Sequence, residues 1–196
     1  EGGLKKLDDG SFVFQGQGTL YNQTGQSVYQ GLWEDGTRSG NGTAWLEDGS
    51  IYSGNWVDDY PDGKGTYLFP DGTEYEGGFI RGKKHGQGTF KEADGFVSYD
   101  GEWKDGQRFG RGRVNKRDSS SYEGDWLDGK PHGNGMFTYP DGRVYTGTMK
   151  QGLRQGLGEL RRSDGSIAYE GEWDRNLRHG KGKAYSTSGL IKFEGD

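Results

Sequence analysis

Three histidines are the residues best suited by type to bind a metal or move a proton. His85, His132 and His179 follow one another at equal intervals of 47 residues. Such spacing is typical of a repeat, and in a sheet with two strands per repeat it would separate neighbours by roughly 19 Å. A zinc ion lies about 2 Å from each nitrogen ligand. We therefore expect no metal site within one chain, and a site shared between two chains is the alternative that remains.

Paired carboxylates are the second candidate for chemistry. Side chains two residues apart in a strand point to the same face. The pairs recur along the chain, so they indicate a solvated acidic stripe rather than one acid–base pair. The sequence has no cysteine, no Gly-x-Ser-x-Gly and no phosphate-binding loop. We predict no catalytic residue, no cofactor and no enzyme activity. The pairs are Asp100 and Glu102, Glu123 and Asp125, and Glu170 and Glu172.

Basic residues near predicted turns are the third candidate. Such a cluster suits phosphoinositides or another anionic partner, although acidic neighbours make a merely solvated edge the alternative. The formal net charge of −5 argues against nucleic acid as a partner. The predicted anionic-lipid edge comprises Lys83, Lys84, Arg108, Lys130, Arg178 and Lys181.

A repeated frame positions all of these residues. Counting from Tyr99 as position 0, glycine falls at positions 2, 7, 11 and 13 and tryptophan at position 4. The frame recurs every 23 or 24 residues, which marks a repeat array. We predict a structural aromatic ladder on one face of the chain. Its members are Tyr29, Trp33, Tyr52, Trp56, Tyr75, Phe79, Tyr99, Trp103, Tyr122, Trp126, Tyr145, Tyr169 and Trp173.

Each repeat reads as two short strands and two turns. The predicted fold is all-β: an elongated, rod-like single sheet of about eight antiparallel hairpins, with rings on one face and charges on the other. The spacing suggests that position 2 faces position 15, so that Gly77 would lie opposite Phe90, Gly101 opposite Val114, and Trp103 opposite Gly112. Each glycine would then leave a slot for the ring across the strand.

The frame also predicts boundaries and irregularities. Asp59 replaces the position-7 glycine and predicts a differently shaped turn, while Asn176 is a milder replacement at that position. Phe79 and Met149 replace tryptophan. Both chain ends fall inside a repeat, so we expect a piece of a longer array. The predicted segments are a divergent repeat at 1–28, repeats at 29–51, 52–74, 75–98, 99–121, 122–144, 145–168 and 169–192, and a partial repeat at 193–196.

Tyr99-x-Gly-x-Trp-x-x-Gly-x-x-x-Gly-x-Gly112 resembles the MORN (membrane occupation and recognition nexus) repeat, and the likeness covers nearly the whole chain. The resemblance implies a non-enzymatic scaffold that binds protein partners, is associated with the cytoskeleton or a membrane, and is most similar to homodimeric protist scaffolds. Two alternatives stay open. One is the regulatory segment of a larger enzyme. The other is an aromatic-repeat module for carbohydrate or choline, which the absence of an adjacent Tyr-Tyr pair disfavours.

The carboxyl end is the predicted site of self-association. Leu190 and Ile191 are adjacent apolar residues in a loop that is more polar in several other repeats, and unpaired strand edges pair readily with another chain. With no cysteine to form disulfides, we expect a cytoplasmic protein, cytoskeletal or peripheral at a membrane-associated structure. The predicted homodimer interface comprises Trp173, Arg175, Arg178, Tyr185, Leu190, Ile191 and Phe193.

Overall fold

A computed structural model describes residues 3–195. Residues 1 and 2, which begin the first predicted segment, and residue 196, which ends the last, lie outside the described residues. The described residues contain 17 strands and no helix, and neighbouring strands pair antiparallel within each part of the chain. The predicted all-β array of antiparallel hairpins is confirmed. The strands are β1 Gly3–Lys6, β2 Phe12–Tyr21, β3 Ser27–Glu34, β4 Thr37–Trp45, β5 Ile51–Val57, β6 Tyr60–Leu68, β7 Glu74–Ile80, β8 Lys83–Lys91, β9 Val97–Lys104, β10 Gln107–Asn115, β11 Ser121–Leu127, β12 Lys130–Thr138, β13 Val144–Lys150, β14 Leu153–Arg161, β15 Ile167–Asp174, β16 Leu177–Tyr185 and β17 Ile191–Gly195.

Two compact units divide the chain. The first comprises the described residues up to Val97 together with Trp103–Gly106, and the second comprises Ser98–Glu102 together with the described residues from Gln107 onward. In the first unit, each of β1 to β7 pairs with the strand that follows it. In the second, each of β10 to β16 does the same.

The register differs from the prediction by two residues. Position 0 faces position 15 and position 2 faces position 13, so Tyr75 lies opposite Phe90 and Gly77 opposite Gly88. The predicted pairing of Gly77 with Phe90 is therefore wrong. Gly101 likewise lies against the Cα of Gly112, which overturns the predicted pairs of Gly101 with Val114 and of Trp103 with Gly112. The glycines face one another because the ring that they accommodate comes from the tyrosine two residues earlier, not from across the strand.

The turn at one end of each hairpin requires positive φ at both central residues, as in type I′ turns. At Asp105 and Gly106 the values are 50° and 86°. Asp59 has a φ of 67° and Asn176 of 71°, which are the same left-handed conformation. The predicted different turn at Asp59 is therefore wrong, because Asp and Asn tolerate this region better than most residues do.

The opposite turns use an aspartate side chain as an extra acceptor. Asp71 Oδ1 accepts a hydrogen bond from the backbone N–H of Thr73 at 2.9 Å. The hydrogen bonds from Thr73, through both its hydroxyl and its N–H, lower the pKa of Asp71. Gly72, with a φ of 83°, completes the turn. The strands between the two kinds of turn carry the buried core, which is mostly the tyrosines and tryptophans of the frame.

Candidate functional site

Each frame tyrosine lies along its own strand, over the glycine pair. Tyr75 is buried, and its Oη donates a hydrogen bond to the carbonyl of Gly78 at 3.0 Å. A Cβ added to Gly88 would collide with the Tyr75 ring. Burial raises the pKa of Tyr75 to about 12, so its hydroxyl stays protonated and structural. The same hydrogen bond, to the carbonyl three residues on, is donated by Tyr29, Tyr52, Tyr75, Tyr99, Tyr122, Tyr145 and Tyr169.

The tryptophans join each repeat to the one before it. Trp56 makes edge-to-face contacts with Tyr52 of its own repeat, at 5.1 Å between centroids, and with Tyr29 of the preceding repeat, at 5.5 Å. Its Nε1 donates to the carbonyl of Gly42 at 3.0 Å. Phe79 replaces tryptophan with the same edge contacts. The indole-to-glycine hydrogen bond recurs at Trp103, Trp126 and Trp173.

Cations at position 9 cover the rings. The Arg38 guanidinium lies 4.1 Å from the Trp56 ring centroid, and that of Arg154 lies 4.0 Å from the Trp173 centroid. Arg108 lies over Tyr99 at 4.8 Å, and burial lowers its pKa. These contacts are cation–π interactions with a partly desolvated cation. These cations cover the rings of the ladder, and the rings are therefore buried.

Asp59 and Asn176 hold two of these cations in place. Asp59 Oδ1 accepts from the backbone N–H and the Nε of Arg38, both at 2.9 Å, and the Asp59 carbonyl accepts from Nη2 at 2.8 Å. Asn176 makes the same three contacts with Arg154. In the sequence these two positions differ from the others only by the missing glycine, because the arginine that each residue binds lies one repeat away.

Lys84 lies inside a four-ring aromatic cluster of the first unit. Its Nζ is 4.4 Å from the ring centroid of Trp103 and 5.0 Å from that of Phe90, with Tyr75 and Phe69 at 5.3 and 5.6 Å. Tyr67, Phe69 and Phe90 form a half-buried group on this face, with centroids 4.6 and 5.8 Å apart. In the second unit, Phe137 and Tyr139 lie 4.7 Å apart, with the Arg143 guanidinium 5.1 Å from Tyr139. We call the group of Tyr67, Phe69 and Phe90 and the pair of Phe137 and Tyr139 the aromatic clusters.

The residues of the predicted lipid edge fall into two environments. Lys84 and Arg108 lie on aromatic rings as described, and the Arg178 guanidinium lies 4.8 Å from the Tyr169 centroid. Arg178 is nevertheless exposed, as are Lys83, Lys130 and Lys181. Three of the six predicted residues therefore take part in the packing of the ladder.

The predicted dimer residues also divide. Trp173 is only 3% exposed, and Tyr185 is half-buried with its hydroxyl hydrogen-bonded to Glu170. Arg175 and Arg178 are exposed. Leu190, Ile191 and Phe193 are 70%, 52% and 52% exposed. Among the predicted interface residues, the accessible apolar surface therefore consists of Leu190, Ile191 and Phe193.

The histidines lie apart from any ligand cluster. His85 and His132 are half-buried and His179 is exposed. Within residues 3–195, no three His, Asp or Glu side chains are grouped as a metal site requires.

Opposite the ladder, three neighbouring rows of β2 to β5 are uncharged, contrary to the charged face predicted from the sequence. Two exposed charges of opposite sign, Glu34 in β3 and Lys64 in β6, border these rows on the same face. One row runs through the cross-strand neighbours Thr19, Gln30, Thr43, Ser53 and Thr66. The row on one side includes Gln17, Leu32, Asn41 and Asn55, and the row on the other includes Tyr21, Trp45, Ile51 and Leu68. We call these three rows the neutral face. In the second unit the equivalent rows are charged, with Arg111 opposite Asp125 and Arg113 opposite Glu123.

The frame, the hairpins and the Tyr–Gly–Trp packing lead to a repeat family. The family model of the MORN repeat matches residues 29–51, 52–74, 75–96, 99–114, 122–142, 145–167 and 169–191. The chain belongs to the MORN-repeat family. MORN repeats are in general non-catalytic interaction repeats, and this MORN chain has the organisation of a protein-interaction module.

Comparison with other proteins adds two distant structural relatives of the MORN array. One is the TCP domain of SAS-4 (dCPAP) from Drosophila melanogaster in complex with a proline-rich motif of Ana2, with 13% identity over 80% of this chain and 85% of that chain and a TM-score of 0.48. Another is the TCP10 domain of Danio rerio CPAP in complex with a STIL peptide, with 13% identity over 99% and 98% of the two chains and a TM-score of 0.38. No curated protein sequence matches the chain. The described residues include no helix with the length and apolar character needed to cross a membrane.

Proposed function

We propose that this MORN-repeat chain is a non-enzymatic scaffold that binds an acidic, partly apolar segment of a protein partner at its aromatic clusters. The observation that carries the proposal is the cluster of Tyr67, Phe69 and Phe90 around the Lys84 ammonium. Its rings are half-buried, whereas the rings of the ladder are buried. Half-exposed aromatic groups beside a cation have the composition of interface hot spots.

Charge sets the kind of partner. Lys84 lies in the cluster of the first unit, and Arg143 borders Phe137 and Tyr139 in the second. Arg143 Nε already donates to Asp141 Oδ2 at 2.7 Å, and Lys84 lies against rings. A carboxylate of the partner would share either cation with these contacts, while an apolar side chain would pack on the rings. A basic partner would be repelled at the same place.

A displayed library of random peptides, selected on the folded chain, tests this proposal. We expect acidic clones with at least one large apolar residue, and a loss of roughly tenfold or more in affinity for Phe69→Ala. Leu46→Ala is the matched control, because Leu46 occupies the same frame position two strands earlier. Enrichment of basic clones, no enrichment, or equal binding by the Phe69 variant would refute the proposal.

Self-association at the carboxyl end is a second candidate, supported by the exposure of Leu190, Ile191 and Phe193. Two such patches related by a two-fold axis would bury the same residues on both partners. Light scattering after size exclusion should then give about twice the chain mass of 21.7 kDa, and Leu190→Ser with Ile191→Ser should return the monomer. A monomeric parent rules out the dimer, and a dimeric variant places the interface elsewhere.

A further inference from the structure

The neutral face is the least expected surface of the molecule, because the chain is 28% charged. Its middle row exposes hydroxyl and amide groups in register across five strands. Thr43 and Ser53 are close enough to share a hydrogen bond, with their hydroxyl oxygens 3.0 Å apart. Hydroxyl and amide groups both donate and accept hydrogen bonds without a net charge. A row of them matches a neutral ligand rich in hydroxyls.

Aromatic rings flank this row at a regular interval. Tyr21 in β2 is 59% exposed and Trp45 in β4 is 37% exposed. They lie two strands apart, which is roughly 9.6 Å by strand spacing. Each ring offers an apolar platform beside the polar row, as amphipathic aromatic residues do at binding surfaces. Leu68 continues the same row two strands further on.

We propose that the neutral face binds a linear, neutral glucan chain laid across strands β2 to β6. A pyranose ring presents C–H groups on its face and hydroxyls at its edge. The faces of alternate sugars would pack on Tyr21 and Trp45, and the edges would exchange hydrogen bonds with Thr19, Gln30, Thr43 and Ser53. The middle row spans four strand steps, or about 19 Å, which is enough for several sugars in a row. This site uses the face opposite the aromatic clusters and does not depend on them.

Charge favours this ligand over the other occupants of a flat sheet face. An anionic or cationic polysaccharide would find no counter-charge in the three rows of β2 to β5, and the bordering charges of Glu34 and Lys64 are single and of opposite sign. A protein partner would place its charged groups against these uncharged hydroxyls and amides, which is costly where water is excluded.

Affinity electrophoresis of the full chain in gels that contain a soluble polysaccharide tests the site. The probes are hydroxyethylcellulose, soluble starch and polygalacturonate. We expect retardation by at least one of the two neutral glucans and none by the polyanion. The double variant Tyr21→Ala/Trp45→Ala should weaken the retardation roughly tenfold or more. Thr138→Ala is the control, because Thr138 occupies in the second unit the frame position that Trp45 occupies in the first.

The variant must melt like the parent, as expected for two exposed side chains. Retardation that is equal in the parent and the double variant overturns the proposal, and so does the absence of retardation by both neutral glucans. A parent dimer that the double variant dissociates also overturns it, because the face would then be an interface between copies.

Discussion

Asn176 accepts hydrogen bonds from both the backbone and the side chain of Arg154, one repeat away. The distances to Asn176 Oδ1 are 2.9 Å from the Arg154 backbone nitrogen and 3.3 Å from its Nε. Asp59 holds Arg38 in the same way. The two positions that depart from glycine in the frame therefore fix the cations that lie over Trp173 and Trp56.

Asp59→Gly is expected to destabilise the array. Glycine relieves the strain of the left-handed conformation, by about 1 kcal/mol, but it removes two hydrogen bonds to the Asp59 carboxylate. Because the Arg38–Asp59 pair is partly exposed, with side chains 27% and 45% accessible, each bond is worth only about 1 kcal/mol. We expect a net loss of roughly 1 kcal/mol in the free energy of unfolding, measured in urea.

Asp59→Asn is the control for that variant, because asparagine keeps the acceptor and stands naturally at position 176. It should stay within about 0.5 kcal/mol of the parent. A glycine variant as stable as the parent would contradict this prediction, because the contacts to Arg38 would then contribute no more than the strain that glycine relieves.

Alkaline pH should unfold the chain through its tyrosines. Burial raises the pKa of Tyr75, Tyr122 and Tyr145 to about 12, from the usual 10. Above pH 10 the unfolded state loses these protons and the folded state keeps them, so stability falls as pH rises from about 10 to about 12. Urea melts at a series of pH values measure the slope, and Tyr75→Phe should make it shallower. A stability that is flat from pH 10 to 12 would contradict the burial of the phenols.

The repeat period, the strand pairs and the positions of the turns could be predicted from the sequence, because glycine, tryptophan and Asp-Gly recur in one frame. The register could not. The spacing fixes which residues share a face, but it does not say whether a tyrosine ring folds along its own strand or across to the next. The hydrogen bond from Tyr75 to Gly78 fixes the ring along its own strand, and no residue pattern in the sequence indicates that bond.

The surfaces were harder to predict than the frame. The neutral face exists only because uncharged residues of β2 to β6 come into register, and a shift of two residues would bring different ones together. The role of Lys84 was missed for a similar reason. Read along the chain it belongs to a basic run, but in the fold its ammonium lies among four rings.

Binding to anionic lipid should depend on the exposed lysines of the predicted edge. We expect weak sedimentation with phosphoinositide vesicles at low salt, and its loss at physiological salt, where charges are screened over about 8 Å. Lys83→Glu with Lys130→Glu and Lys181→Glu should abolish it. The control, Lys64→Glu with Lys104→Glu and Lys150→Glu, makes the same change in net charge outside the predicted edge. Equal sedimentation of the two triple variants would remove the lysine edge as a lipid site.

Gly88→Ala compared with Gly86→Ala tests most directly the claim that the array is built on tyrosines folded over glycine pairs. Gly88 has an ordinary backbone conformation, but its added methyl would collide with the buried Tyr75 ring. Gly86 has a φ of 69° and open space around it, so alanine there meets only backbone strain of about 1–2 kcal/mol. In urea melts we predict that Gly88→Ala loses at least about 3 kcal/mol or fails to fold, and clearly more than Gly86→Ala. A Gly88 variant as stable as the Gly86 variant would contradict the account.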